Sequence, residues 1–196
     1  YTSYEGEGEA YLSSEILDLG KPINAYGLYR LYAGCDGEEY SFSNTTVLYD
    51  EFTSHAILGR HFIRINVDLD ASRENIKELV DEFLSVLSKA LPPPEPFPAI
   101  LEHLKQMART PCEVNYHPEH MDYDLESGPG YMWVGPEGET FHMSLLNSQD
   151  EADGYADTLR SKDLPMVFTE KNVVIWQKEG REQSRSYIEE VLKNLL

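Results

Sequence analysis

The chain is short of basic residues, of long apolar runs and of cysteine. Of its 196 residues, 16 are Lys or Arg and 35 are Asp or Glu, which gives a formal net charge of −19. Phosphate binding needs clustered Lys and Arg, so this composition argues against nucleic acid and anionic lipid as partners. No apolar run approaches the roughly 20 residues that a membrane-spanning helix needs. We therefore expect no nucleic-acid partner and no direct membrane span.

Sequence motifs of catalysis are also missing. There is no Gly-x-Ser-x-Gly elbow and no Ser-x-x-Lys motif with its partner motifs. The glycine-rich segments Gly128–Gly130 and Gly135–Gly138 contain Pro and precede strand-like runs, so they are typical of turns and not of phosphate-binding loops. The sequence therefore assigns no catalytic residue and no cofactor, and it favours a protein that is not an enzyme.

The two cysteines, Cys35 and Cys112, lie in segments flanked by Gly or Pro. No CxxC or Cys/His zinc spacing is present. In an oxidising compartment the pair would form one disulfide, closing a loop of about 76 residues and contributing roughly 4 kcal/mol by the loop-entropy model. In a reducing compartment both would be free thiols, and the sequence leaves the two alternatives open. Tyr1 stands where an initiator Met would be, which we interpret as a processed or shortened N-terminus.

The sequence contains one pattern of residues twice. Segments 15–27 and 142–154 each contain an apolar run, a polar turn and an Ala-x-Gly that opens a helix-like run. Downstream, segment 61–67 is similar to segment 172–178. Repetition at this scale predicts the architecture. We expect an α+β protein of internally duplicated strand-strand-helix-strand-strand-helix units, with an antiparallel sheet and helices packed mainly on one face.

The same pattern predicts three parts along the chain. Residues 1–91 form the first repeat unit and residues 131–196 the second. Residues 92–130 hold a Pro-rich linker, a short helix and an irregular segment that is dense in Pro, Gly, His and acids. Within the first unit, residues 33–46 are expected to be a loop. Helices are expected at 22–32, after Ser72, at 150–161 and from about residue 182.

Three segments resemble the bacterial domain-of-unknown-function family numbered 6599. They are Leu17–Tyr29, the run Gly59-Arg-His-Phe-Ile-Arg-Ile65, and the Pro-rich joint Leu91–Pro98. His61 and Phe62 stand where the family usually has two aromatic residues. The resemblance covers most of the chain and implies an exported bacterial protein with a leader or lipid anchor. It implies no activity, because its motifs describe turns and packing.

One segment could bind a metal ion. His117, Glu119, His120 and Asp122 lie within a few residues of one another, and imidazole and carboxylate are good transition-metal ligands. Pro118 separates the two histidines and disfavours the helix on which zinc-binding histidines are usually spaced. A divalent metal at this segment is therefore one hypothesis, and a solvated loop or a subunit contact is the other.

Aromatic side chains crowd the same part of the chain. Tyr116, Tyr123, Tyr131 and Trp133 lie there with few Lys nearby, a composition that suits the core of a protein or carbohydrate contact. The alternative is that they pack the joint between the two repeats.

Together these features favour a non-catalytic extracytoplasmic binding or assembly module that is periplasmic, cell-surface or secreted. Two alternatives remain open. One is a metal-binding accessory protein or metal-dependent enzyme that uses His117 and His120. The other is a subunit of an extracellular filament or envelope complex, in which a protein partner or self-assembly would be expected.

Overall fold

The computed structural model describes residues 2–5, 11–42, 45–49, 53–68, 73–118, 121–122, 125–126, 129–178, 180 and 184–195. The chain forms two compact units, Tyr1–Phe97 and Pro98–Leu196. The division falls inside the Pro-rich run, later than the predicted end at residue 91. Residues 98–130, which hold the short helix and the irregular segment of the predicted middle part, belong to the second unit.

The described residues of the first unit form six antiparallel strands and two helices. Its elements are β1 (Thr2–Glu5), β2 (Tyr11–Asp18), α1 (Pro22–Ala33), β3 (Glu38–Phe42), β4 (Thr45–Tyr49), β5 (Thr53–Leu58), β6 (His61–Asp68) and α2 (Arg73–Ala90). The strands form one sheet in the order β1-β2-β6-β5-β4-β3. Pro22 suits the first position of α1, because a helix leaves its first N–H groups without intrahelical partners.

The two helices of this unit cover opposite faces of the sheet. Alternate strand residues point to opposite faces. Ile63 and Ile65 of β6 pack against Val80 and Leu84 of α2. Phe62, which points the other way, stacks on Tyr32 of α1 with ring centroids 5.6 Å apart. The expectation of helices mainly on one face was therefore wrong for this unit, because its central strands are apolar on both faces.

The second unit contains a five-stranded antiparallel sheet and three α-helices. Its elements are α3 (Ala99–Met107), a 3-10 turn (Pro111–Glu113), β7 (Asn115–His117), β8 (Met121–Asp122), β9 (Leu125–Glu126), β10 (Gly130–Val134), β11 (Thr140–Leu145), α4 (Gln149–Ser161), β12 (Met166–Glu170), β13 (Val173–Gln177) and α5 (Ser184–Leu195). The main sheet has the order β12-β13-β11-β10-β7, and β8 and β9 form a separate hairpin.

Here too the helices lie on both faces. Ala156 and Leu159 of α4 pack against Val174 and Trp176 of β13. On the opposite face, Tyr187 of α5 packs against Phe141 of β11. The helix α4 begins at the N-cap Ser148, whose hydroxyl accepts a hydrogen bond from the Glu151 amide. The Glu151 carboxylate in turn accepts one from the amide of Asn147, the residue before the cap.

The two units share one connectivity. The first unit contains the segments β1-β2-α1 and β5-β6-α2, with β3 and β4 between them. Their four strands lie in the sheet in the order β1-β2-β6-β5. In the second, β10-β11-α4, then β12-β13-α5, gives the order β10-β11-β13-β12. The α+β class and the antiparallel sheets are thus confirmed, and the strand order matches between units. That this likeness arose by duplication stays a prediction.

Two segments expected to lack regular structure contain strands. The predicted loop 33–46 contains β3, which pairs along its length with β4. The predicted irregular segment contains β7, which pairs with β10 at the edge of the second sheet. Both are short edge strands, in which polar and aromatic residues alternate over only three or four positions, so their sequences carry little strand signal and the pairing decides their structure.

Both cysteines, Cys35 and Cys112, are disulfide-bonded. In the described parts of the chain, no helix combines the length and the apolar character that a membrane span requires.

Candidate functional site

A groove of about 230 Å³ opens on the second unit, between the β10–β11 hairpin and the start of α5. We call it the acidic groove, because its lining combines carboxylates, hydroxyls and aromatic rings and includes no Lys or Arg among the described residues. Its lining residues are Pro136, Glu137, Glu139, Phe141, Ser184, Ser186, Tyr187 and Glu190.

The hairpin turn that forms one wall follows from its Gly-Pro-Glu-Gly sequence. Gly135 donates its amide hydrogen to the Glu139 carbonyl over 2.7 Å, and Gly138 donates to the Gly135 carbonyl over 3.0 Å. Gly138 has φ +88°, a conformation that glycine adopts without steric cost. A Cβ at Gly135 would lie 2.5 Å from Cε2 of Phe141, so the ring occupies space that only a glycine leaves open. The segments predicted to be turns include this one, and the prediction is confirmed here.

The floor of the acidic groove is a fixed aromatic cluster. The Phe141 ring lies 5.3 Å from that of Trp133 in a stacked arrangement and 5.0 Å from that of Tyr187. Trp133 donates its indole N–H to the Tyr187 hydroxyl over 2.9 Å, and that hydroxyl donates to the Met107 carbonyl over 2.8 Å. Two hydrogen bonds and one ring contact, with Phe141, therefore hold Tyr187 in one position.

Burial is the main cause of the raised pKa of Tyr187. Desolvation raises the pKa of its hydroxyl to about 12, although the hydrogen bond from Trp133 acts in the opposite direction. The negative charges of Glu139 and Glu190 raise this pKa further, because they would repel the tyrosinate that deprotonation creates. The ring is therefore neutral at physiological pH.

The carboxylates of the acidic groove have no cationic partner among the described residues. Glu137 and Glu190 are exposed, and Glu139 is half-buried, where its carboxylate accepts a weak hydrogen bond of 3.4 Å from the Ser184 hydroxyl. Elsewhere carboxylates are paired: Asp18 with Arg60 at 2.8 Å, Glu102 with Lys105 at 3.0 Å and Asp157 with Arg160 at 2.9 Å. Among the described residues, Arg109 lies beside Gly138 of the hairpin but is paired with Glu113, and no ion pair reaches the three groove carboxylates.

This arrangement suits an organic cation better than a metal ion. In the described part of the chain, no three His, Cys, Asp or Glu side chains lie close enough together to hold a metal ion. Aromatic faces attract ammonium and guanidinium groups, and carboxylates accept hydrogen bonds from them. Tyr187 is half-buried and Phe141 is 1% exposed, so Tyr187 is the ring that the acidic groove presents to solvent.

A second cavity of about 280 Å³ lies in the first unit, lined by Thr46, Ile57, Gly59, Pro94, Glu95, Pro96 and Phe97. It has a single carboxylate and no cluster of polar groups, so it gives less indication of a ligand.

The predicted metal ligands are only partly described. His117 lies on the edge strand β7, where burial lowers the pKa of its imidazole. Asp122 lies on the short strand β8, whose backbone alone is described. Glu119 and His120 lie outside the described residues. Metal binding at this segment therefore stays a prediction.

The predicted interaction aromatics are mostly interior residues. Tyr131 and Trp133 are 2% and 0% exposed, and Tyr116 is 8% exposed and packs against Tyr131 with centroids 5.1 Å apart. Tyr123 lies outside the described residues. The three described rings pack within the second unit, and Trp133 reaches the acidic groove only through Phe141 and Tyr187.

The residues that carry the family resemblance meet at one corner of the first unit. Asp18 pairs with His61 in the register of β2 and β6, and its carboxylate also accepts a 2.9 Å hydrogen bond from the Gly20 amide. That hydrogen bond, ahead of the nearby Arg60 charge, holds the pKa of Asp18 below its usual value. The motifs therefore hold a strand end and two turns together, which is a structural role.

Sequence reasoning missed Glu137, Glu139, Tyr187 and Glu190 as a group. The Glu137-x-Glu139 pair beside a predicted turn was the available signal. Nothing in the sequence linked it to Tyr187 and Glu190, which lie about 50 residues further along the chain.

Comparisons with protein-family models, with curated proteins and with solved structures find no match to this chain. The resemblance to the bacterial family therefore stays a prediction.

Proposed function

We propose that this chain is a non-catalytic, extracytoplasmic binding module that contacts a protein partner through the acidic groove. The observation that carries the proposal is the groove itself, in which a fixed aromatic floor lies below three carboxylates that have no ion-pair partner among the described residues. Aromatic rings with a polar rim are typical of protein recognition sites.

The proposed compartment is supported by the cysteines. Disulfides form and persist in oxidising environments and are rare in reducing ones. Both cysteines of this chain are disulfide-bonded. The net charge of −19 supports the binding role, since it would attract basic partners to the surface.

Site-specific photo-crosslinking in cells that produce the protein tests this function. A photoreactive amino acid replaces Glu137 on the groove rim, and the matched control places it at Asp153, which is exposed on α4 of the same unit. We expect a discrete protein adduct from position 137 that is absent from position 153. Adducts of equal yield at both positions, or none at position 137, would contradict a binding role for the acidic groove. An adduct with a second copy of the chain would identify assembly as the function.

A further inference from the structure

A tyrosine near the end of α1 presents one face of its ring to solvent in a fixed position. The Tyr32 ring lies nearly parallel to the rings of Phe62 and His55, with centroids 5.6 and 5.8 Å away and interplanar angles of 25° and 14°. Phe62 and His55 are 2% and 8% exposed, whereas Tyr32 is 54% exposed. One face of the Tyr32 ring therefore covers two buried rings, and the other face is open to solvent. We call these three rings the Tyr32 platform.

A row of polar side chains lies beside the Tyr32 platform on the same face of the first sheet. His55 of β5 lies opposite Arg64 of β6, and Arg64 lies opposite Glu15 of β2. Opposite residues of antiparallel strands project from one face, with Cβ atoms about 5 Å apart. The row therefore places one guanidinium and one carboxylate, both on half-buried side chains, next to the exposed ring.

A second polar row follows one step further along β6. Ser13, Asn66 and Thr53 lie opposite one another on β2, β6 and β5, and all three side chains are half-buried. Thr53 donates its hydroxyl hydrogen to Oδ1 of Asn66 over 3.0 Å, which orients the Asn66 amide. The row adds hydroxyl and amide groups, which both donate and accept hydrogen bonds.

The guanidinium of Arg64 is not used by the described part of the fold. No hydrogen bond or ion pair joins it to a described residue, although Glu15 lies opposite it in register. Four other described arginines each pair with a carboxylate: Arg30, Arg60, Arg109 and Arg160. The planar fork of Arg64 can therefore donate hydrogen bonds to neighbouring oxygens of a ligand.

These groups together define the chemistry of a ligand. The face of an aromatic ring is negative and attracts the slightly positive C–H groups that a sugar ring presents on one side. The hydroxyls at the edge of the same sugar can accept from Arg64 and donate to Glu15. The charges of Arg64 and Glu15 cancel, and the net charge of −19 repels a polyanion. A neutral carbohydrate complements this surface.

A protein partner complements the same surface less well. Protein interfaces have an apolar core within a polar rim. Among the described residues, the exposed large apolar side chains are Leu31, Tyr32 and Val86. Val86 lies on α2, which covers the opposite face of the sheet. Leu31 and Tyr32 alone make a small apolar core beside two polar rows.

We infer that the first unit binds a neutral oligosaccharide, with one sugar ring on Tyr32 and its hydroxyls on Arg64 and Glu15. The second polar row contacts the next sugar of the chain through Asn66. This carbohydrate site is separate from the acidic groove and does not depend on it.

The test titrates the full chain with neutral probes of equal length and follows amide chemical shifts. The probes are cellohexaose, chitohexaose, maltohexaose and mannohexaose, and hexagalacturonate is the acidic control. We expect saturable shifts at residues 13–15, 31–33, 53–55 and 64–66 with at least one neutral probe, and no saturation with the acidic control. Absence of saturation with every neutral probe, or equally tight binding of hexagalacturonate, would overturn the inference.

Variants of neighbouring residues separate the ring face from general attraction. Tyr32→Ala removes the exposed ring and should weaken binding of the neutral probe about tenfold, whereas Tyr32→Phe keeps the ring face and should bind within about threefold of the original chain. The control Leu31→Ala removes a side chain that is 71% exposed on the adjacent residue and should bind within about twofold. Unchanged binding by Tyr32→Ala, or equal weakening by Leu31→Ala, would refute the site.

A second pair of variants decides the matter if Tyr32→Ala uncovers Phe62 and disturbs folding. Arg64→Gln should weaken binding about tenfold, because it removes a charged hydrogen-bond donor. Arg60→Gln changes the net charge equally at the β5–β6 turn, where Arg60 pairs with Asp18, and should bind within about twofold. Equal effects of the two changes would contradict the site. A protein adduct from a photoreactive amino acid at position 31, without saturation by any neutral probe, would assign this surface to a protein partner instead.

Discussion

The clearest contrast in this molecule is between the Arg30 cluster of the first unit and the acidic groove of the second. In the Arg30 cluster, a guanidinium that is 2% exposed contacts a tyrosine ring and is neutralised by Glu39. In the acidic groove, a tyrosine and a phenylalanine lie below three carboxylates and no described cation joins them. The difference teaches that the same residue types stabilise the fold where a described cation joins them, as Arg30 does, and that their presence alone does not complete such a cluster.

The largest expected effect on stability comes from breaking the Arg30 cluster. Glu39→Gln removes the charge opposite the buried Arg30; because the Glu39 side chain is itself 43% exposed, we expect a loss of about 2–3 kcal/mol in the free energy of unfolding, less than for a fully buried pair. The neighbouring Glu38→Gln breaks the pair with Lys77, whose side chains are 55% and 40% exposed. That loss should stay under about 1 kcal/mol. Urea unfolding of both variants measures the contrast, and equal losses would contradict the role of Arg30 burial.

A smaller effect is expected from disturbing the floor of the acidic groove. Gly135→Ala places a methyl group against the Phe141 ring, which Trp133 and Tyr187 hold in place, and should cost about 1–3 kcal/mol. The matched control is Gly154→Ala in α4, where an added Cβ meets nothing within 4 Å. We expect that control to stabilise the protein by roughly 0.5–1 kcal/mol through helix propensity. Thermal unfolding compares the two, and a neutral Gly135→Ala would show that the ring can move aside.

The last effect is seen only at alkaline pH and therefore changes stability least under ordinary conditions; it concerns the floor of the acidic groove. The pKa of Tyr187 is about 12 in the folded protein against a usual value of 10. Because the folded state favours the neutral phenol, its stabilising contribution is complete below pH 10 and is lost as the pH rises from about 10 through 12. Absorbance of tyrosinate during alkaline titration should show this step, and Tyr187→Phe should remove it. Titration of Tyr187 near pH 10 would mean that the groove floor is hydrated.

The sequence predicted much of the fold because the relevant signals are local. Pro22 and Ser148 mark helix starts, and the expected helix at 150–161 corresponds to α4 at Gln149–Ser161. The Gly135–Gly138 turn follows from the conformations that Gly and Pro favour. Edge strands were missed, because Glu38–Phe42 and Asn115–His117 alternate over too few residues to be distinguished from loops and are strands through pairing with their neighbours.

The candidate site was less predictable. The sequence left two interpretations of Tyr131 and Trp133 open, a contact with a partner or packing between the repeats, since it shows residue types and not burial. The structure places Tyr131 and Trp133 in the interior. It also brings together a hairpin turn and a helix that lie about 50 residues apart in the chain to form the acidic groove. A local sequence pattern cannot predict that two such distant segments are in contact.

The sequence by itself determined the acidic balance, the α+β class and the turns and helix starts, because composition, periodicity and the restricted conformations of Pro and Gly act within a few residues. Only the tertiary structure decided that helices cover both faces of each sheet and that Glu39 meets a buried Arg30. It also decided that Glu137, Glu139 and Glu190 surround Tyr187 without a described cation. These outcomes depend on which distant side chains come within a few ångströms, and that is set by packing of the whole unit.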